Sequence, residues 1–124
     1  MHAGQTESMT EKPHAGGEWT KARFFGFLRS NLRKASMKWP PLQQVRVSHR
    51  RPSQSANKRL KWELQCFACL QWYPGSDIAV DHIIPCGSLK DWADIEPFVR
   101  RLFVEECDLA LLCKHCHEMK PQWP

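Results

Sequence analysis

The sequence predicts a small α+β fold in which a metal site joins two halves of one domain. Three observations carry this prediction: a basic segment with helical periodicity, two Cys-x-x-Cys pairs, and two short β-rich segments between those pairs. A chain of 124 residues suits one compact domain of ordinary size. We therefore expect a disordered polar tail at 1–18, a basic helical arm at 19–61 and a metal-bound domain at 62–124.

The first segment, 1–18, is polar, contains Pro13 and the pair Gly16-Gly17, and shows no apolar periodicity. This composition predicts disorder. The segment also lacks the basic stretch and the apolar stretch of a secretory signal. No apolar run in the chain approaches the roughly 18 residues of a membrane span. We expect a soluble, cytoplasmic protein without a membrane partner.

The next segment has the periodicity of an amphipathic helix. Phe24, Leu28 and Leu32 recur every four residues, and the basic side chains lie mostly elsewhere on the helical wheel. Pro40-Pro41 is expected to stop this helix. In residues 50–65, Pro, Ser and Asn then precede a second, short helical pattern that ends near the first cysteine.

Charge is distributed unevenly along the chain. Residues 21–61 contain twelve Lys or Arg and no Asp or Glu, whereas residues 62–124 contain five basic and ten acidic residues. A one-sided run repels itself unless a polyanion neutralises it, and the phosphate backbone is the usual polyanion. The alternative interpretation is a solvated basic face. The expected DNA-binding residues are Lys21, Arg23, Arg29, Arg33, Lys34, Arg50, Arg51, Lys58, Arg59 and Lys61.

Four of the six cysteines occur in the tight pairs "CFAC" and "CKHC". Each short loop lets two thiolates reach one ion, which is the requirement of tetrahedral zinc. A redox dithiol and incidental core cysteines are the alternatives, and disulfides are unusual inside cells. The remaining two, Cys86 and Cys107, are expected to be small buried hydrophobes. The predicted ligands of a structural zinc are Cys66, Cys69, Cys113 and Cys116.

The residues between the two pairs predict a strand, a second strand and a helix. Residues 78–84 are rich in β-branched side chains, and 109–112 form an apolar run that leads into the second pair. The following "KHCHEMK" contains no Gly or Pro, so it can form a short helix. Consecutive helical residues lie about 100° apart, so Cys116 can face the zinc while His117 faces the strand that carries Asp81.

The order of Cys-x-x-Cys, "VDHIIP" and "DLALLCKHCHEMK" resembles the HNH nucleases with a ββα-metal (His-Me finger) fold. The resemblance is closest to the small zinc-containing HNH endonucleases of bacteriophages, and it runs from about Arg50 to Trp123. It implies a metal-dependent DNA endonuclease that hydrolyses phosphodiester bonds. DNA is the implied partner, with a phage terminase or another phage protein as a further candidate, and the chain is taken as a monomer by default.

The resemblance also implies a role for each matching residue. His82 is the general base, because imidazole titrates near neutral pH and can accept a proton from water. Asp81 and His117 bind Mg²⁺ or Mn²⁺, and Lys120 contacts the phosphate. Neighbours on a regular strand point to opposite faces, so Asp81 and His82 can serve one site only if the strand ends or bulges there. Pro85 favours an early end.

One position departs from the family pattern. Asp108 stands where the family usually has an asparagine, whose amide helps to orient the base. A carboxylate can accept hydrogen bonds but cannot donate one, and its charge favours the protonated form of a nearby histidine. Two other functions stay open: a non-catalytic DNA-binding zinc module, and an accessory subunit of a phage packaging complex. His115, inside the second pair, is expected to be an exposed histidine outside the metal site.

Overall fold

The structure is a computed structural model that describes residues 11–120. It is an α+β arrangement of helices and two small antiparallel sheets, as predicted. One sheet has the order β1-β2-β3, and the other pairs β4 with β5. The helices are α1 (Lys21–Ser36), α2 (Pro40–Ser48), α3 (Ile95–Leu102) and α4 (Lys114–Met119), and the strands are β1 (Arg50–Pro52), β2 (Trp62–Gln65), β3 (Trp72–Pro74), β4 (Ile78–His82) and β5 (Leu109–Cys113).

Helix α1 begins where the sequence predicts. The Thr20 side chain accepts a hydrogen bond from the backbone N–H of Arg23 at 3.2 Å, which satisfies one of the free donors of the first turn. The helix ends at Ser36, and Pro40 does not stop it but occupies the first turn of α2. Proline is tolerated there because an N–H in the first turn has no partner within the helix.

Helix α1 contributes to a core rather than standing apart as an arm. Phe25 is 1% exposed and packs in a buried cluster with Phe98 and Leu102 of α3. Leu28 and Leu32 pack against the same cluster, as their spacing predicts. The basic segment is thus attached to the second half of the chain through its apolar face.

The structure corrects the prediction of a second helix before Cys66. Residues 62–65 form strand β2, which pairs antiparallel with β1 on one side and β3 on the other. Only Leu64 of the four is buried, and it lies opposite Arg50 and Tyr73. Two flanking strands satisfy the backbone of β2, and this tertiary pairing prevails over the local helical pattern.

The strand, strand and helix predicted between and after the Cys pairs are all observed. Every residue of β4 pairs with β5, from Ile78 opposite Cys113 to His82 opposite Leu109, and α4 follows β5 directly. Strand β4 ends at His82, two residues before the predicted end. The buried side chains of β5 pack with Val45 of α2 and Leu64 of β2, so the two sheets and α2 share a core.

Two further predictions concern the N-terminal tail and the two cysteines outside the Cys-x-x-Cys pairs. Residues 1–10 of the predicted tail lie outside the described residues, whereas residues 15–17 form a 3-10 turn beside His14, whose ring stacks on Phe24 with centroids 4.3 Å apart. Cys86 is buried as expected, but Cys107 is exposed, because it lies in a short 3-10 turn at the surface.

No helix within residues 11–120 is both long enough and apolar enough to cross a membrane.

Candidate functional site

The fold brings the four predicted zinc ligands together. Their sulfur atoms all lie within 4.8 Å of one another, and the cluster can hold a metal ion such as zinc. Tetrahedral zinc with bonds of about 2.3 Å places its sulfurs roughly 3.8 Å apart, so the cluster has nearly the size that this ion requires. The cluster members are Cys66 at the end of β2, Cys69 in the next turn, Cys113 at the end of β5 and Cys116 in α4.

Burial raises the pKa values of these thiols, whereas hydrogen bonds from backbone N–H groups lower them. Burial acts to raise the pKa of the Cys66 thiol, but backbone hydrogen bonds from its neighbours lower it overall. The backbone N–H of Cys116 lowers the pKa of Cys113. Burial, followed by hydrogen bonds to Cys113 and Cys66, raises the pKa of Cys116 to about 12. Four closely spaced thiolates, three of them buried, repel one another, so a bound dication is the partner that this donor set fits.

Tyr73 of β3 is a neighbour of the cluster that the sequence analysis missed. Its hydroxyl lies 3.4 Å from the sulfur of Cys69. Hydrogen bonding to Cys69, and then to Cys113, raises the pKa of the Tyr73 hydroxyl, so it stays protonated and can donate to a thiolate. Tyr73 is the only tyrosine in the chain and follows Cys69 by four residues, which is the one signal that the sequence offered.

Asp81, His82 and His117 line one cavity of about 630 Å³. The cavity lies between β4, α4 and the junction of α1 with α2. Three basic residues also line it: Arg33 of α1, Lys38 of the junction and Arg46 of α2. The predicted general base and the two predicted ligands of the catalytic metal are thus brought to one place, with basic residues among the other lining residues. This arrangement suits an anionic substrate.

The two oxygens of the Asp81 carboxylate have different partners. Oδ1 accepts a hydrogen bond from the backbone N–H of His82 at 2.9 Å. Oδ2 is buried, has no hydrogen-bond partner among residues 11–120, and lies 2.6 Å from Nζ of Lys120 in an ion pair. A buried carboxylate oxygen paired with a cation is a position that a divalent metal ion fits. The ammonium of Lys120 balances its charge in this structure.

Lys120 lies elsewhere than the resemblance implies. Besides its ion pair with Asp81, its ammonium donates a hydrogen bond to the carbonyl oxygen of His82 at 2.5 Å. The predicted phosphate contact is therefore engaged with the end of β4. Lys120 can reach a phosphate only if it leaves the carboxylate of Asp81, which the resemblance implies to be a metal ligand.

The imidazole of His82 is oriented by α3. Its Nε2 lies 2.8 Å from the carbonyl oxygen of Leu102, the last residue of that helix. A carbonyl only accepts, so Nε2 carries the hydrogen, and in the neutral ring Nδ1 has the free lone pair. The tautomer is thereby fixed in a form that can accept a proton from water at Nδ1.

Strand β4 ends directly after Asp81 and His82. The strand ladder stops at the pair His82 and Leu109, and the next N–H, that of Ile83, donates to the carbonyl oxygen of Asp108 at 3.0 Å. Both residues line the same cavity although they are neighbours in sequence. The early strand end predicted from Pro85 is observed, but it comes after His82, and Asp81 and His82 both keep regular pairing with β5.

The side chain of Asp108 is not part of this cavity. It is exposed and makes no hydrogen bond to any of residues 11–120, and only its backbone contributes, through the bond from Ile83. His115 is exposed on α4, as expected, and likewise does not line the cavity. The expected influence of Asp108 on His82 stays a prediction.

The predicted DNA-binding residues fall into two groups. Some have partners within the described chain: Lys21 pairs with Asp91, Arg23 lies over Trp19, Arg51 pairs with Glu63, and Arg29 donates to the carbonyl oxygen of Gly87 and lies over Phe98. The others make no ion pair with residues 11–120. That second group is Arg33, Lys34, Arg50, Lys58, Arg59 and Lys61, of which Arg50 lies over the ring of Trp62.

No protein-family model, curated protein or solved structure matches this chain.

Proposed function

We propose that the protein is a metal-dependent DNA endonuclease of HNH type, acting in the cytoplasm by hydrolysis of phosphodiester bonds. The observation that carries the proposal is the meeting of Asp81, His82 and His117 in one cavity lined partly by basic residues. The order of strand, strand and helix beside a four-cysteine cluster supports it, as does the sequence resemblance to HNH nucleases.

His82 acts as the general base. Its Nε2–H is held by the carbonyl oxygen of Leu102, so Nδ1 takes the proton from the attacking water. The same carbonyl stabilises the imidazolium that forms, because a charged donor strengthens the hydrogen bond. Leu102 therefore positions the base through its backbone alone.

Asp81 and His117 would hold the divalent ion, Mg²⁺ or Mn²⁺. The fit rests on Oδ2 of Asp81, a buried oxygen whose partner among the described residues is the ammonium of Lys120. When bound, such an ion neutralises charge on the phosphate and on the leaving oxygen. Lys120 releases Asp81 for this purpose, and its ammonium becomes available to the phosphate.

The four cysteines hold a structural zinc that fixes the two halves of the domain. The cluster joins the turn after β2 to the start of α4, and α4 carries His117 toward the cavity. A closed site of four thiolates has no open position for substrate. We assign the zinc to folding and the Asp81 site to chemistry.

DNA is the substrate and the main partner. The basic residues without ion pairs supply phosphate contacts that do not read sequence, with Arg33 beside the catalytic residues. The resemblance adds a phage terminase or another phage protein as a candidate partner.

The test is nicking of supercoiled plasmid with Mg²⁺ or Mn²⁺. Wild type is expected to nick, and His82→Ala to lose activity while retaining zinc and DNA binding. His115→Ala is the control, since His115 is an exposed histidine of α4 that does not line the cavity. Equal activity of wild type and His82→Ala would remove His82 from the reaction.

A specific contact favours a second function, the non-catalytic DNA-binding zinc module. The ion pair between Lys120 and Asp81 keeps a cation on the carboxylate without any metal. If that pair is permanent, the cavity holds no divalent ion and the basic surface alone is functional. Binding of DNA by wild type, with no cleavage under any divalent metal, would establish this function instead.

A further inference from the structure

A second pocket, of about 390 Å³, lies between α2, strands β1 and β2 and the loop 53–61. It is separate from the cavity of Asp81 and His82, with which it shares Arg46 and Gln43. We call it the Trp62 pocket. Of the residues that line it, four are basic and none is acidic; the basic ones are Arg46, Arg50, Arg59 and Lys61.

The positive charge of the Trp62 pocket is not neutralised within the described chain. None of the four basic residues forms an ion pair with residues 11–120. Arg46 donates to the carbonyl oxygens of Ile78 at 3.0 Å and Gly75 at 2.6 Å, which are neutral acceptors. A concave surface with this charge favours an anionic ligand.

The pocket also contains an accessible aromatic ring. Trp62 is 42% exposed, and the guanidinium of Arg50 lies 3.9 Å from its ring centroid. A cation on an aromatic ring next to further cations is the combination that binds a nucleotide, whose base stacks while its phosphate is neutralised. A simple anion would bind the basic residues but would make no stacking contact with the Trp62 ring.

The loop that carries the remaining cations is held in place by its own side chains. The backbone N–H groups of three alternate residues donate to side-chain oxygens two residues earlier: Ser55 to Ser53, Asn57 to Ser55, and Arg59 to Asn57, all at 3.0–3.1 Å. The N–H of Ser53 donates to the carbonyl oxygen of Lys61 at 2.9 Å and closes the loop. The loop that carries Arg59 and Lys61 is therefore ordered before a ligand binds, which lowers the entropic cost of binding.

We propose that the Trp62 pocket binds an unpaired nucleotide of a nucleic-acid strand, with the base on Trp62 and the phosphates on Arg50, Arg59 and Lys61. The bases of a duplex are stacked on one another, so an aromatic ring can reach a base face only in a single strand or at a frayed or flipped position. The site thus gives the protein a preference for unpaired DNA. The inference rests on the nucleic-acid partner of the proposed function and not on cleavage.

The test compares a fluorescein-labelled oligothymidine of about twelve nucleotides, a length within the site sizes of single-strand binders, with a duplex of equal length. Anisotropy is measured without divalent ions, so the result is independent of nuclease activity. Trp62→Ala is expected to weaken single-strand binding about tenfold or more and duplex binding less than about twofold. Trp62→Phe should keep most of the affinity, and Trp92→Ala, which removes a more exposed ring outside the pocket, should change nothing.

Salt dependence separates stacking from charge. Trp62→Ala should leave the slope of log affinity against log salt unchanged, whereas Arg59→Gln should reduce it by roughly one phosphate contact. Inorganic phosphate is the competitor that tests for a simple anion site. If Trp62→Ala and Trp62→Phe, both with wild-type zinc content, bind the single strand as wild type does, or if millimolar phosphate displaces it fully, the nucleotide site is refuted. A protein that binds single strands through Trp62 but does not cut DNA would keep this inference and lose only the nuclease.

Discussion

The ammonium of Lys120 lies 2.6 Å from Oδ2 of Asp81 and 2.5 Å from the carbonyl oxygen of His82. It thereby connects the end of α4 to the end of β4 at the residues proposed for catalysis. The side chains of Lys120 and Asp81 are 25% and 18% exposed, so the pair is only partly screened by solvent. A divalent ion at Asp81 has to compete with this ammonium.

Lys120→Met is therefore expected to have two opposite effects. Loss of the partner leaves a mostly buried carboxylate unpaired and should lower the free energy of unfolding by about 1–2 kcal/mol without divalent metal. Mn²⁺ should then stabilise the variant more than it stabilises wild type, because binding to the native state adds stability. Urea unfolding with and without Mn²⁺ measures both. Lys90→Met is the control, an exposed lysine without an ion pair in the described chain; equal Mn²⁺ responses of all three proteins would contradict the competition.

The four-cysteine cluster predicts about one zinc per chain and a fold that depends on it. Cys69→Ser or Cys113→Ser should lose the zinc and unfold the domain, because a core this small depends on its metal. A strong chelator should unfold wild type in the same way. Metal analysis and circular dichroism measure the two effects.

Cys107→Ser provides the matched control for the zinc prediction. Cys107 is exposed and lies outside the cluster, so its replacement should leave zinc content and fold unchanged. Folded, reduced wild-type protein without zinc would overturn the assignment.

The basic residues of α1 are expected to separate into structural and DNA-binding types. Arg29 donates to the carbonyl oxygen of Gly87 at 2.8 Å and lies over the buried ring of Phe98, so Arg29→Ala should mainly destabilise the fold, by about 1 kcal/mol. Arg33→Ala with Lys34→Ala should instead weaken DNA binding similarly for unrelated sequences and reduce its salt dependence. Thermal unfolding and salt-titrated binding of the same variants distinguish the two types. An unchanged salt slope would make this surface a solvated basic face.

The parts of the site that depend on short spacing could be predicted from the sequence. Two Cys-x-x-Cys pairs indicate the cluster, and the apolar runs around Asp81 and before Cys113 indicate β4 and β5. The segment before Cys66 forms a strand instead of the predicted short helix because pairing with β1 and β3 decides its conformation. Propensity is a weak guide where partners from distant segments complete a sheet.

The contacts that orient the residues proposed for catalysis had no local signal in the sequence. His82 meets a backbone carbonyl twenty residues later, and Lys120 reaches the His82 carbonyl across thirty-eight residues. A carbonyl has the same chemistry at every position, so no pattern of side chains identifies Leu102 as a partner of the base. Only the packing of α3 against α1 and the end of β4 places it there.

Asp108 is the position at which the chain departs from the HNH pattern, and its replacement tests the proposed reaction. The carbonyl oxygen of Asp108 holds Ile83 whatever the side chain, so Asp108→Asn should keep the fold. It should raise the nicking rate several-fold and leave DNA affinity nearly unchanged. The reason is that negative charge grows on the phosphate in the transition state, and a carboxylate next to the end of β4 opposes that growth more than it opposes binding.

The exposure of Asp108 makes this effect sensitive to salt, which gives the experiment its internal check. An exposed charge is screened within about 8–10 Å at ordinary ionic strength, so high salt should reduce the difference between wild type and Asp108→Asn. Glu105→Gln removes an equal charge from an exposed position three residues earlier and should change the rate less. Nicking rates of the three proteins, measured against salt at matched metal concentration, test whether the charge of Asp108 slows the reaction. If Asp108→Asn is slower than wild type, the carboxylate contributes to the reaction, as an additional metal ligand would, and the departure from asparagine is an adaptation of this site.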